Sequence, residues 1–88
     1  MQKIFKFILD PNTTVLNIQS ETILSAIEQH NEIAVYALVD THEKAHTYEF
    51  VVVGTGQELE FDVSKYSFLG TVKLHSGLII GHVFYKKI

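Results

Sequence analysis

The chain has 88 residues, enough for one domain with one modest hydrophobic core. Hydrophobic residues make up 47% of it and charged residues 19%, which is typical of a folded globular protein and argues against disorder. The seven basic residues are all lysines, set against ten Asp and Glu, and the net charge is −3. Because nucleic acid is bound mainly through clustered Lys and Arg, a chain without Arg and with this charge is expected to have no nucleic-acid partner.

The chain contains no Cys, so disulfide frameworks and thiolate metal sites are excluded. The first ten residues alternate charged and apolar side chains and contain no continuous apolar stretch of the kind found in signal peptides. No apolar run approaches the ~20 residues of a membrane span. These features predict a cytoplasmic protein with no membrane partner, folded as a single β domain over residues 1–88.

Short runs of β-branched and aromatic residues, separated by turn residues, recur along the chain. The predicted strands cover residues 3–9, 14–18, 33–39, 48–53, 68–75 and 78–85. Residues 40–46 and 57–65 are polar and are expected to be surface connections. With one more strand at residues 22–29, the pattern predicts an all-β fold of about seven short antiparallel strands, arranged as a sandwich or a small barrel.

Residues 20–29 are compatible with two structures. In a helix, Ile23, Leu24 and Ile27 form a narrow apolar stripe, with Ser20 as N-cap. Read with a period of two, the same residues form a strand with mixed faces. The local pattern slightly favours a short helix; we nonetheless predict a strand, because of the family resemblance described below.

The C-terminal hairpin is predicted to turn at Ser76-Gly77, with His75 opposite Leu78. One face then carries the core residues, which are Phe68, Gly70, Val72, Leu74, Ile79, Gly81, Val83 and Tyr85. The second strand is also apolar on its other face, where Leu78, Ile80 and Phe84 project. Such a patch is unusual on a monomer. It is expected either to be covered by another sheet of the same chain or to form the interface of a homo-oligomer.

The same outer face of the hairpin carries the candidate ligand-binding residues Thr71, Lys73, His75 and His82. A few polar groups beside an apolar wall are typical of small-molecule sites. The alternative for His82 is a hydrogen-bonded structural histidine.

Two other motifs are weaker. Asp40, His42, Glu43 and His46 could surround a cation, but solvated loop residues are the simpler interpretation, and no metal site is predicted. Residues 54–56, Gly-Thr-Gly, lack the spacing of a phosphate-binding loop and are read as a turn. No catalytic motif is present, so we expect neither an enzyme nor a cofactor.

Four segments together carry a family resemblance: Tyr-Ala-Leu-Val-Asp at 36–40, Val-Val-Gly-Thr-Gly at 52–56, Gly-Thr-Val-Lys-Leu-His at 70–75 with Gly77, and His-Val-Phe at 82–84. In this order and spacing the chain resembles a family of small uncharacterised proteins of tailed bacteriophages and prophages. Family members have an aliphatic strand where this chain has residues 22–29. At residues 20–21 this chain has Ser-Glu where a Pro-Glu-Gly-like turn is usual.

The resemblance implies a phage accessory binding protein in the cytoplasm of the host cell. Its expected role is to antagonise anti-phage defence as a homo-oligomer, by sequestering a small nucleotide-like host molecule or by covering a host protein. The alternative is a structural or assembly module of the phage particle. A third hypothesis is a small enzyme that uses His75 or His82. The family supplies no functional residues that could be carried over.

Overall fold

A computed structural model describes residues 1–88 as two antiparallel β-sheets packed against each other. Its seven strands are β1 (Gln2–Leu9), β2 (Thr13–Ile18), β3 (Thr22–Gln29), β4 (Glu32–Asp40), β5 (His46–Gly54), β6 (Ser67–Leu74) and β7 (Ile79–Lys87). The remaining regular structure is two single turns of 3₁₀ helix, at Val63–Lys65 and His75–Gly77. The all-β prediction is therefore confirmed. The structure contains no helix of the length and apolarity that crossing a membrane requires.

The first sheet has the strand order β1-β4-β3, and the second has the order β2-β5-β7-β6. Side chains alternate along β4, so that Val35 and Ala37 point into the space between the sheets, where they meet Phe50 and Val83 from the second sheet. All four have no exposed surface. The core lies between the sheets because each strand turns one face inward.

Residues 22–29 form strand β3 and not a helix. The proposed helical stripe does not share one environment, because Ile23 is buried whereas Leu24 and Ile27 are nearly half exposed. A bulge between Ile23 and Ser25 separates these faces. Ser20 caps no helix; its hydroxyl bonds the backbone of Thr22. Pairing with β4 therefore decides the structure that the local pattern left open.

The predicted turn of the hairpin is confirmed. The backbone N–H of Leu78 donates to the carbonyl of His75 at 3.1 Å. Ser76 has φ 58° and ψ 31°, and Gly77 has φ 90°, the left-handed pair that a tight two-residue turn requires. Leu74 then lies opposite Ile79.

The placement of Phe68 in the core is wrong. A bulge between Phe68 and Gly70 moves Phe68 to the outer face, opposite Phe84, and leaves it 58% exposed. Leu69 packs against the core in its place. At Gly70 the strand runs so close to β3 that an added Cβ would lie 3.4 Å from the carbonyl oxygen of Ala26. The bulge allows this approach without forcing a large side chain into the contact.

Strand β7 lies inside its sheet, between β5 and β6. Its outer face is covered in part by the connection between β5 and β6, since the ring of Phe61 lies 5.9 Å from that of Phe84. Phe61 also meets Tyr66, at 4.7 Å between ring centroids. The connection, expected to be a surface segment, thus supplies part of the cover that was expected from another sheet.

Candidate functional site at the turn end of the sandwich

Four residues other than glycine have positive φ, and all four lie at one end of the sandwich. They are His30 and Asn31 in the β3–β4 turn, at 52° and 66°, and His75 and Ser76 in the β6–β7 turn, at 52° and 58°. The left-handed conformation costs an L-residue roughly 1–2 kcal/mol, and such residues cluster at functional sites. We call residues 30–31 and 75–77 the turn end.

The side chain of Asn31 joins the two turns. Its Oδ1 accepts a hydrogen bond of 2.8 Å from the backbone N–H of His75, and its Nδ2 lies 3.1 Å from Nδ1 of the same residue. An amide nitrogen can only donate, so Nδ1 of His75 is the acceptor and Nε2 carries the proton. Glu28 fixes the other side by accepting from the backbone N–H of Asn31 at 2.6 Å. The turn end is therefore held by contacts between residues 44 positions apart.

A cleft of about 420 Å³ opens between the sheets beside these turns. Its apolar wall includes Ile8, Ile33, Leu74 and Ile79. Its polar groups are Asp10, Asn31, Glu32, Gln57 and His75. An apolar wall with a few polar groups at the rim is the usual form of a small-molecule site.

A second, more polar groove of about 510 Å³ lies on the other side of Asn31. It is lined by Glu28, His30, Asn31, Lys73, Ser76 and Gly77. Asn31 borders both the cleft and the groove, so one ligand could contact both.

The structure divides the four predicted ligand-binding residues into two groups. His75 lines the cleft and Lys73 lines the groove. Thr71 and His82 are cross-strand partners whose side chains bond at 3.1 Å, and Nε2 of His82 also meets the hydroxyl of Thr55 at 2.8 Å. Both ring nitrogens of His82 are therefore engaged, which fits the structural alternative. Asn31 is not among the residues predicted from the sequence. Its signal is the His-Asn pair between two predicted strands, because Asn tolerates the left-handed region that a tight turn requires.

The three predicted interface residues do not form one patch. Leu78 is 86% exposed next to the turn, whereas Ile80 lines the cleft. Phe84 is half-buried and packs on Phe61 and Phe68. An interface through these residues stays a prediction.

A second polar cluster lies at the opposite end of the strands. The ligand atoms of Glu21, Glu43 and His46 all lie within 4.8 Å of one another and could hold a metal ion. His46 Nε2 is 2.6 Å from Glu21, and the ammonium of Lys87 is 2.9 Å from the same carboxylate. The hydrogen bond from Lys87 lowers the pKa of Glu21. Lys87 thus already supplies this cluster with a positive charge.

Asp40, which the sequence pattern grouped with the loop histidines, is not part of this cluster. Its carboxylate accepts the backbone N–H of His42 at 3.0 Å, and this bond lowers the pKa of Asp40. The loop therefore contributes only Glu43 and His46. Glu21, the third member, comes from the β2–β3 connection.

Comparison with curated proteins gives no match, and comparison with solved structures gives none. One family model, described as a domain of unknown function, matches residues 1–88. The match spans both sheets, the turn end and the cleft. The chain therefore belongs to the family of domains of unknown function DUF7352.

Proposed function

We propose that this chain is a binding protein that holds a small nucleotide-like ligand at the turn end, and that it acts as a phage accessory protein by withdrawing this ligand from host defence. The observation that carries the binding site is that all four left-handed non-glycine residues line either the cleft or the groove, and that Asn31 lines both. The two-residue turns account for the left-handed backbone of His30, Asn31 and Ser76. His75 lies outside those turn positions, and the hydrogen bond from its backbone N–H to Asn31 holds it in the left-handed conformation.

The cleft suits a flat, mostly uncharged group such as a nucleobase. Leu74 and Ile79 are paired across the hairpin and form one wall, and Ile33 belongs to the facing sheet. The amide of Gln57 and the ring of His75 provide hydrogen-bonding groups at the rim. Because Asp10 and Glu32 also lie there, an anionic group would be repelled from this side.

The groove suits the phosphate. Lys73 is its only lysine, and the left-handed turn beside it has the backbone conformation in which successive N–H groups can face an anion. Glu28, the carboxylate in the groove, is already bonded to the backbone of Asn31. A ligand with its base in the cleft and its phosphate in the groove would therefore keep its negative charge near Lys73.

Isothermal titration with adenosine and with adenosine monophosphate tests this assignment. We expect both to bind, and we expect Ile79→Glu to abolish both because it places a charge in the apolar wall. Lys73→Ala is expected to weaken the monophosphate but not adenosine, whereas the matched control Lys65→Ala changes neither. If Ile79→Glu leaves binding intact, the cleft is not the site.

The accessory role has its own test. The chain is expressed in bacterial cells that carry a nucleotide-signalling defence system, and phage plaques are counted. We expect plaque formation to recover with the wild-type chain and with Lys65→Ala, but not with Ile79→Glu. Recovery with Ile79→Glu at equal protein level would contradict sequestration through the cleft.

A further inference from the structure

The sandwich closes on one side and stays open on the other. On the closed side, the edge strands β3 and β6 lie against each other at Ala26 and Gly70, and both carry a bulge. The open side ends in the edge strands β1 and β2. A free edge presents unpaired backbone N–H and C=O groups, which another strand can pair with, and proteins usually protect such edges with bulges, Pro, short strands or charged side chains, especially Lys.

Of these protections, strand β1 has only the lysines Lys3 and Lys6. It pairs with β4 over eight residues without a register shift, from Gln2 opposite Asp40 to Leu9 opposite Ile33, and it contains no Pro. It also exposes apolar side chains on both faces. Ile4 and Ile8 are 62% and 41% exposed on the outer face, and Phe5, on the face that points to the other sheet, is 46% exposed.

Strand β2, the other edge on this side, is different. It is six residues long, and half of its residues are Thr or Asn. Thr14 Oγ1 accepts a hydrogen bond from the backbone of Asp10, and Asn17 accepts one from Thr47. The edge that needs a partner is therefore β1.

We propose that β1 pairs antiparallel with the β1 of a second copy, with the twofold axis at Phe5, so that the two three-stranded sheets join into one sheet of six strands. Antiparallel pairing about a twofold axis is self-complementary, which an edge strand of a homodimer requires. The proposal is independent of the ligand site, because β1 contributes only its last residues, Ile8 and Leu9, to the cleft.

The lysines of β1 select this register. Residues directly opposite each other in antiparallel strands project from the same face of the sheet. If the cores of both copies lie on the same side of the joined sheet, the twofold axis must therefore pass between two copies of the same residue. An axis at Lys6 places two Lys6 ammonium groups opposite each other. An axis at Ile4 leaves residues 7–9 without partners in β1, and an axis at Phe7 leaves residues 2–4 without them. At Phe5, each lysine faces an apolar residue, Lys3 opposite Phe7 and Lys6 opposite Ile4, whose surface its methylene groups can cover.

Light scattering during size-exclusion chromatography tests the dimer. The wild-type chain is expected at twice the monomer mass of 10.0 kDa. Phe5→Glu is expected at the monomer mass, because two carboxylates would face each other at the axis. The matched control, Val15→Glu on the exposed face of β2, is expected to remain a dimer. A monomeric wild-type chain at its highest soluble concentration would overturn the proposal.

A charge exchange tests the register. Neither Phe5→Glu nor Phe5→Lys should dimerise alone, but an equimolar mixture should recover the dimer mass. Should Phe5→Glu fail to fold, Ile4→Lys serves instead, since Ile4 is exposed and the change sets a lysine opposite Lys6. A mixture that stays monomeric while each variant is folded would contradict the axis at Phe5.

Crosslinking gives an independent result, because the chain has no cysteine of its own. Phe5→Cys should form a disulfide dimer under mild oxidation, since residues opposite each other in antiparallel strands have Cα atoms about 4.5–5.5 Å apart, within disulfide range. Val15→Cys should not. If Leu78→Glu dissociates the dimer and Phe5→Glu does not, the interface lies at the hairpin and β1 pairing is wrong.

Discussion

The buried hydroxyl of Tyr48 joins strand β5 to the connection between the two sheets. Removing this hydroxyl tests how much the buried hydrogen bond stabilises the fold. Tyr48 lies on β5 and is 2% exposed. Its hydroxyl donates a hydrogen bond of 2.6 Å to the backbone carbonyl of Ser20, in the connection that carries the chain from the second sheet to the first. Ser20 is itself 1% exposed. Tyr48→Phe therefore leaves a buried carbonyl without its partner while the ring stays in place.

An unpaired buried polar group costs roughly 1–3 kcal/mol, so we expect Tyr48→Phe to lower the free energy of unfolding by about 1–2 kcal/mol. In a domain of this size that corresponds to a fall in Tm of roughly 5–15 °C. Urea unfolding followed by circular dichroism measures the change, and the slope with urea should stay the same because the core is unchanged.

Tyr36→Phe is the matched control. The hydroxyl of Tyr36 bonds to the side chain of Gln29 at 3.2 Å on the half-buried outer face of the first sheet. Since water can replace this bond, we expect a loss within about 0.5 kcal/mol. If Tyr48→Phe is no more destabilising than Tyr36→Phe, the buried bond to Ser20 does not stabilise the fold as we argue.

Three further predictions concern packing and pH. Gly81→Ala places a Cβ 3.0 Å from Val52 Cγ1, so we expect a loss of about 1–3 kcal/mol in urea unfolding, part of which Val52→Ala in the same chain should recover; no recovery would mean that the clash is not with Val52. The pKa of Glu21 is lowered from 4.5 by its bond to Lys87, so its contribution to stability is present above pH 4.5 and lost as the pH falls through the lowered value; Glu21→Gln should flatten this acid limb of the stability profile. The hydrogen bond from Tyr66 to the carboxylate of Glu49 raises the pKa of Tyr66 from 10.0 to about 12. This bond therefore stabilises the fold below pH 10, and the stabilisation is lost as the pH rises towards 12. In an ultraviolet titration, the Tyr66→Phe variant should lack the tyrosine that ionises near pH 12 in the wild-type chain.

Local patterns predicted most of the strands. Apolar residues at every second position, such as Ile33, Val35 and Ala37, share one face only if the chain is extended, so this pattern predicts a strand. The Ser-Gly pair at residues 76–77 can adopt the left-handed turn that joins two strands. Both signals act over a few residues, so they do not depend on the rest of the fold. The positions of Lys73 and His75 beside the turn follow from the same local signal, and their role as ligand-binding residues stays a prediction.

Contacts between distant parts of the chain decided the rest. The outward position of Phe68 follows from the close approach of β6 to β3 at Gly70. Phe84 is partly covered by Phe61, and the polar composition of the connection that carries Phe61 does not predict this contact. The joining of the turns by Asn31 and His75 spans 44 positions. Except at residues 22–29, sequence alone thus determined which segments extend and where they turn, since steric and hydrophobic preferences act locally. Only the tertiary structure decided which strands lie inside a sheet, which edges stay free and which side chains meet, because these depend on how the two sheets pack together.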